Sequence, residues 1–290
     1  MMDFNGLRAF LSAGESGSFS TAAQSLHLSQ PAVSKRITLL EERLGARLFL
    51  RTGHGVRLTQ AGDALMPLAR SILGEVEAAE RAVGNLAGNV AGPLSIVTNH
   101  HIGLWRLPEV FKRFTGDHPE VRLDLRFTDS EPAHQLVLDG AVELGVVTLA
   151  PQPPAQIVSL PLWKDTLRVV VGRDHALADA GSAGLADLAR HRAVLPDLTT
   201  YTGRLVRSRM GELGLSLQDV VSTNYLETLR MMAETGLGWS LLPETMLGPE
   251  LRTVDVPELT LSRELGLIHH RRHALSNAAE AFITEVSGQE

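Results

Sequence analysis

The sequence predicts an α/β protein: an all-α head and a long helix, followed by a larger α/β body. Three observations predict this order. Apolar residues recur at steps of three and four over residues 18–44, and again over residues 59–86, which is the periodicity of amphipathic helices. Beyond residue 93, short apolar runs alternate with helical patterns, which indicates strands of a largely parallel sheet connected by helices.

Length and composition are those of a folded protein with more than one domain. The chain has 290 residues, which suits two or three domains, and a hydrophobic content of 44%. It contains no cysteine, which excludes disulfides, thiolate metal ligands and thiol redox switches. No apolar run approaches the roughly 20 residues that span a bilayer, and the N-terminus does not resemble a secretory signal. We therefore expect a cytoplasmic protein.

The charges are divided unevenly along the chain. The formal net charge is −6, yet residues 1–62 contain seven basic and four acidic residues, a balance of +3, so the remainder carries −9. A basic head on an acidic body is typical of a DNA-binding protein with a separate sensing domain. A balance of +3 also arises by chance, so charge alone does not decide the function.

Residues 18–44 have the pattern of two helices joined by a tight turn. The first helix of this pair contains two adjacent small residues, Ala22 and Ala23, which allow another helix to pack closely against it. Ser29 is a good N-cap for the second helix, which begins at Gln30 and tolerates Pro31 in its first turn. The apolar stripe of this second helix is formed by Val33, Ile37, Leu40 and Leu44. The pattern is that of a helix-turn-helix, which points to DNA.

A supporting helix precedes this pair and a small hairpin follows it. The supporting helix is predicted over residues 4–13, and Gly45 is the C-cap of the second helix of the pair. Two short strands over residues 48–50 and 56–58 flank a turn at residues 53–55, which makes the head a winged helix-turn-helix. The wing carries Arg51, His54 and Arg57, where contact with the DNA backbone or minor groove is expected.

The polar face of the second helix of the pair carries the candidate DNA-binding residues. Amide, hydroxyl and cationic side chains together reach base edges and phosphates. The candidates are Gln30, Ser34, Lys35 and Arg36, with Pro31 shaping the approach of the helix and Arg51 on the wing. The alternative is an ordinary solvated helix face.

A long helix is predicted over residues 59–86, capped by Thr59. Its near-heptad apolar stripe favours a partner helix, so we interpret it as a linker and dimerisation helix. The alternative is that it packs on its own domain. Pro67 should kink its first two turns, and Gly74 weakens it further. The predicted domains are the head at residues 1–58, the linker at 59–88 and the effector-binding body at 89–290.

The body is predicted to form two α/β lobes with a cleft between them. Lobe I comprises residues 92–162 and 266–290, and lobe II comprises residues 163–265. The predicted strands cover residues 94–98, 121–127, 144–148, 166–172, 193–195, 220–223, 238–242 and 263–269. The predicted helices cover residues 104–115, 133–138, 204–213, 226–235 and 275–286. Ligands of such sheets bind beyond the carboxyl ends of the strands.

Polar residues that directly follow strands are the candidate effector contacts. Hydroxyls, amides and free N–H groups at helix N-termini suit a small anion, especially a carboxylate, so we predict an anionic metabolite. The candidates are Thr98, Asn99, His100, His101, Thr128, Ser130, Thr148, Thr199, Thr200, Tyr201, Asn224 and Tyr225. For each residue, simple helix capping is the alternative.

Neither a metal nor a cofactor nor an enzymatic reaction is predicted. Adjacent histidines such as His100 and His101 rarely share one ion, and no cysteine or nearby carboxylate completes a tetrahedral set. The sequence contains no Gly-x-Ser-x-Gly elbow, no histidine followed by glutamate and no lysine preceded by glycine. A solute-binding protein explains two lobes but not the head. An enzyme with a less recognisable site is the remaining alternative.

The head closely resembles that of the LysR-type transcriptional regulators. The resemblance rests on AAQSLHLSQPAVS (residues 22–34), LGARLFLR (44–51) and LTQAG (58–62), and ETLRMMAETGLGWSLLP (227–243) is similar to a segment of the family's ligand domain. It implies a cytoplasmic homo-oligomer, often a tetramer, with a periplasmic-binding-protein-like effector domain. Its winged heads would bind and bend promoter DNA, and a small-molecule effector in the cleft would change the bend.

One position departs from the family pattern. The family usually has arginine followed by an uncharged residue where this chain has Lys35 and Arg36. Lysine is a poorer bidentate partner for a base than arginine, so it stays open which of the two meets a base.

Overall fold

The computed structural model describes residues 3–53, 55–217 and 219–288. The head consists of α1 (Phe4–Ser16), α2 (Phe19–Ser25), α3 (Gln30–Leu44), β1 (Phe49–Thr52) and β2 (Gly55–Leu58), and it is followed by α4 (Gln60–Gly84). The first half of the body contains β3 (Gly92–Thr98), α5 (His100–Trp105), α6 (Pro108–Asp117), β4 (Val121–Phe127), α7 (Ser130–Leu138) and β5 (Leu144–Thr148). The remainder contains β6 (Ile157–Gly172), α8 (Leu185–Leu188), β7 (Ala193–Leu195), α9 (Tyr201–Glu212), β8 (Val220–Ser222), α10 (Leu226–Glu234), β9 (Trp239–Pro243), β10 (Leu251–Val254), β11 (Leu261–His270) and α11 (Asn277–Ser287).

The predicted winged helix-turn-helix is confirmed. Ser18 caps α2, Ser29 caps α3 and Thr59 caps α4, each with its hydroxyl accepting a backbone N–H of the first turn. The wing is tied to the helices at two points. The N–H of Val56 donates to the carbonyl of Gly17 at 2.8 Å. The carboxylate of Glu41 accepts the N–H groups of Leu48 and Phe49, where β1 begins, at 2.7 and 3.2 Å.

Helix α4 is continuous over 25 residues and includes Pro67 without ending there. Its two faces differ. Ala69, Leu73 and Gly74 are buried, whereas large apolar side chains on the other face are exposed to solvent. The exposed ones are Leu68 at 60%, Ile72 at 36% and Val83 at 70%, and Leu86 just beyond the helix is 87% exposed.

The body is built on one sheet with the strand order β4-β3-β5-β11-β6-β9-β7-β8, and β10 pairs with β6. β3, β4 and β5 are parallel at one end, and β7, β8 and β9 are parallel at the other. The long antiparallel pair β6 and β11 connects the two ends, with a register shift between Leu265 and Gly266. Each end has its own apolar core, centred on residues such as Phe114 and Phe282 in one and Trp239 in the other.

Four elements differ from the sequence-based expectation. The helix expected at residues 104–115 is two helices, α5 and α6, because Pro108 lacks the N–H that a continuous helix needs and instead begins α6. The strand expected at residues 166–172 begins at Ile157, since its first half pairs with β11. The short α8 and β10 were not expected. Within the described residues, no helix is long and apolar enough to cross a membrane.

Candidate functional site

The exposed face of α3 brings together four of the predicted DNA-binding residues. Gln30, Pro31, Ser34 and Lys35 border one shallow groove, which also includes Thr38. Arg36 is half-buried beside the apolar stripe and does not border this groove. Thr38 was missed, although its spacing of four residues from Ser34 on a helix places both on one face.

The structure describes only part of the predicted wing contacts. Arg57 is exposed on β2. The backbone of Arg51 pairs with Val56 across the hairpin. The side chain of Arg51 and the whole of His54 lie outside the part of the chain that the structure describes.

A cleft of about 530 Å³, its open mouth included, lies where helices from both ends of the sheet begin. It is lined by the first residues of α5, α7, α9 and α10. Eight of the predicted effector residues line it: Asn99, His100, His101, Ser130, Thr148, Thr200, Tyr201 and Asn224. Six further residues line it that were not among the candidates: Asp129, Glu131, Pro196, Thr202, Leu226 and Arg263.

The other four candidates do not line the cleft. Thr98 is completely buried, and its hydroxyl donates to the carbonyl of Val146 at 2.7 Å. Thr128 and Thr199 lie outside the lining, and the hydroxyl of Thr199 donates to Asp197 at 2.6 Å. Tyr225 packs edge-on against His100, with 4.9 Å between the ring centroids.

Sequence signals for the missed residues differ. Asp129 and Glu131 lie in the loop and helix start that follow the predicted strand at residues 121–127, so the rule that selected Thr128 and Ser130 could also have selected them. Arg263 belongs to β11, and only the antiparallel pairing of β11 with β6 brings it to the cleft.

Arg263 is the cationic side chain of the cleft lining, and a buried carboxylate accompanies it. Its Nε donates to Asp165 at 2.8 Å, and its Nη1 donates to the hydroxyl of Thr202 at 3.0 Å. The side chains of Arg263 and Asp165 are only 10% and 2% exposed. The pair therefore contributes little net charge to the cleft, while the guanidinium keeps a directional donor at its wall.

His101 is a buried, neutral group in the cleft wall. It is 4% exposed, and neither ring nitrogen has a hydrogen-bond partner among the described residues. Burial, followed by the positive charge of Arg263, lowers the pKa of His101 to about 4. Its neutral imidazole therefore offers one donor and one acceptor that the protein itself does not use.

Hydrogen bonds join the two walls of the cleft, of which residues 99–148 form one and residues 196–226 the other; two of the bonds lie in the cleft and a third lies beside it. The N–H of Tyr201, the first residue of α9, donates to Glu131 at 2.5 Å. Asn224 donates from Nδ2 to Asp129 at 2.7 Å. Nearby, the indole of Trp105 donates to Glu227 at 2.9 Å. Each bond ends on a carboxylate, so acidic side chains hold this arrangement of the walls.

The histidines do not form a metal site in the described ranges, where no group of three or more His, Asp or Glu side chains is placed to hold an ion. The rings of His270 and His273 lie against each other with 3.9 Å between their centroids and a tilt of 36° between their planes.

Two family models together match most of the chain. The family model described as "LysR substrate binding domain" matches residues 87–289, and the one described as "Bacterial regulatory helix-turn-helix protein, lysR family" matches residues 4–63. The chain is 30% identical over 273 residues to a probable nitrogen assimilation transcriptional activator of Synechococcus elongatus, covering 90% of this chain and 87% of that protein.

Two further similarities are of different kinds. An HTH-type transcriptional regulator in the ibpB-leuC intergenic region of Azotobacter vinelandii is 56% identical over 107 residues, which is 37% of this chain and 74% of that protein. The structure of a full-length OxyR variant from Pseudomonas aeruginosa superimposes with a TM-score of 0.71, covering 100% of this chain and 99% of that one. The sequence identity in that superposition is 22%, so the likeness is one of fold.

Proposed function

The chain belongs to the LysR family of transcriptional regulators, and from this membership we propose how it senses its signal. It is a DNA-binding regulator with a LysR substrate-binding domain, not an enzyme. We propose that a small anionic metabolite binds in the cleft between the two ends of the sheet. Its binding changes how the heads bind or bend promoter DNA.

The convergence of helix N-termini on the cleft carries this proposal. The first residues of α5, α7, α9 and α10 all line it. Each N-terminus presents backbone N–H groups without an intrahelical partner, and those of the longer helices add a favourable dipole for an anion. The guanidinium of Arg263 and the hydroxyls of Thr148 and Thr202 supply further donors. This donor set suits a carboxylate better than a neutral or cationic group.

For DNA, we propose that the face of α3 bordered by Gln30, Pro31, Ser34 and Lys35 enters the major groove. Thr38 extends this face by one turn. Arg36 flanks the groove, and Arg51 belongs to the proposed contacts of the wing. Lys35 is exposed and Arg36 is half-buried, which favours Lys35 for the first contact with DNA.

We further propose that the chain self-associates through α4. The exposed stripe of Leu68, Ile72, Val83 and Leu86 is apolar over much of the helix, as expected for a surface covered by a second copy. The proposed division is a head at residues 1–58, a linker at 59–88 and an effector-binding body at 89–290. A cytoplasmic location is proposed because a transcriptional regulator acts on promoter DNA.

A thermal-shift screen tests the effector class. Anionic compounds should raise the melting temperature more often than neutral and cationic compounds of matched size. The variant Thr202→Val removes a cleft hydroxyl and should reduce these shifts, whereas Thr199→Val, whose hydroxyl lies outside the cleft lining, should not. Stabilisation by neutral or cationic compounds alone would contradict the anionic effector.

A further inference from the structure

Two carboxylates line the cleft that we propose as the binding site of an anion. Asp129 and Glu131 both line it, and the charge of Arg263 is already balanced by Asp165. A small anion that enters the cleft therefore meets two like charges, which disfavour it unless at least one of them moves.

Glu131 occupies the position that is best suited to an anion. Its Oε1 accepts the N–H of Tyr201, which is the first residue of the 12-residue helix α9. The guanidinium of Arg204 lies 3.9 Å from the same oxygen and over the ring of Tyr201 at 4.8 Å. A helix N-terminus and a nearby cation are the environment that a ligand carboxylate would seek.

The rest of the cleft indicates that a polar ligand belongs beside this position. His101 is 4% exposed and has no hydrogen-bond partner at either ring nitrogen among the described residues. An imidazole that is buried in this way costs free energy unless a ligand or an ordered water satisfies it. Thr202, the second residue of α9, lines the same wall.

We propose that Glu131 determines the specificity of the cleft by holding the place of the effector's anionic group at the N-terminus of α9, and that the effector displaces it. This inference rests on the proposed function. Displacement breaks the bond between Glu131 and Tyr201 and so frees one of the contacts between the walls. An anion that cannot replace the bonds of Glu131 is rejected, because it would add a third negative charge to the cleft.

The isosteric variant Glu131→Gln tests the proposal. It keeps the size of the side chain but removes its charge, so an anion meets less repulsion and a weaker competitor. We expect it to bind anionic probes at least tenfold more tightly than the wild type. The probes are sulfate, malonate and benzoate, and the measurement is isothermal titration calorimetry on the full chain, with melting temperatures in the same buffers.

Glu227→Gln is the matched control. Glu227 also accepts a hydrogen bond across the walls, from Trp105, but it does not line the cleft. This variant removes an equal charge and a comparable contact, and its affinity for the probes should stay within twofold of the wild type. An equal gain in both variants would show that general electrostatics, rather than the place held by Glu131, sets the affinity, and would overturn the proposal.

Two other outcomes separate this inference from the proposed function. If the wild type and Glu131→Gln bind an anionic probe equally, the anionic effector class survives and the role of Glu131 is wrong. The anionic effector itself is wrong under a different pair of results. Cationic compounds would bind the wild type through Glu131, and Glu131→Gln would gain no anion binding or would bind anions more weakly.

Discussion

Lys35 and Arg36 are neighbours in sequence but differ in their surroundings. Lys35 is exposed on the groove of α3, whereas Arg36 is half-buried beside the stripe that packs on the head core. Because the chain departs from the family pattern at this pair, the sequence does not decide which of the two residues contacts a base. The exposure favours Lys35 for direct DNA contact and Arg36 for a flanking phosphate contact.

Replacing Lys35 with alanine should weaken binding to the promoter at least tenfold, because a cationic side chain is removed from the centre of the proposed interface. Replacing both Lys35 and Arg36 should abolish binding and leave the circular dichroism spectrum unchanged, since neither belongs to the apolar core. Fluorescence anisotropy with promoter DNA measures the affinity. Lys112→Ala, on the body, is the control and should bind normally; unchanged binding by the double variant would refute the assignment.

His101 makes stability depend on pH. Its pKa is about 4 in the folded protein and near 6.5 in the unfolded chain. Below pH 6.5 the unfolded chain binds a proton that the folded protein does not, so unfolding becomes more favourable. Above pH 6.5 the imidazole is neutral in both states and the free energy of unfolding keeps its full value. As the pH falls from 6.5 toward 4, the free energy of unfolding decreases by up to about 3 kcal/mol.

The variant His101→Gln should therefore lose less stability than the wild type between pH 7 and pH 4.5. Denaturant titrations at each pH measure this difference. His134 and His175, whose pKa values burial also lowers, are present in both proteins and cancel in the comparison. Parallel pH profiles for the two proteins would show that His101 does not titrate as described.

Helix α4 is the element that connects the head and the body. Gly74 touches Gly140, which directly follows α7 and its C-cap Asp139, and a methyl group built on Gly74 would lie 2.8 Å from the Gly140 Cα. Arg70, one turn earlier, donates to Glu15 of α1 at 3.0 and 3.1 Å and lies 3.7 Å from Asp139. Gly74 lowers the helix propensity of α4. Because it has no side chain, it also permits α4 to approach closely the residues that follow α7.

Substitution of this glycine should separate helix propensity from packing. Gly74→Ala favours the helix by about 1 kcal/mol but places a methyl group against backbone atoms of residues 139 and 140, so we expect a net loss of stability. Gly84→Ala, at the end of the same helix, has nothing within 4 Å and should be stabilising. Melting temperatures compare the two. A Gly74→Ala protein as stable as Gly84→Ala would contradict the docking of α4 on the body.

At the scale of the whole molecule, the exposed stripe of α4 predicts self-association. Replacing Leu68 and Val83 with aspartate places charges on this stripe and should shift the protein toward monomers in sedimentation velocity experiments, because burying an unpaired carboxylate is costly. Leu213→Asp is the control: Leu213 is similarly exposed but follows α9 in the body. An unchanged oligomer in the stripe variant would mean that another surface joins the copies.

Local signals in the sequence were sufficient for the head. Ser29, Pro31 and Gly45 mark the ends of α3, and its apolar stripe follows from helical spacing alone, because caps and periodicity act within a few residues. Strands such as β4 and β5 were placed to the residue for the same reason. Pro108 also indicates the break between α5 and α6, but the helical pattern on either side of it favoured one continuous helix.

The sequence by itself determined the family, the winged helix-turn-helix, the long α4 and the alternation of strands and helices, since these depend on local periodicity and capping. Only the tertiary structure decided which polar residues share the cleft. Arg263 reaches it through the pairing of β11 with β6, and Glu131 meets Tyr201 from 70 residues away in sequence. Such contacts depend on strand order and on the approach of two helix N-termini, and neither is encoded in any short stretch of the chain.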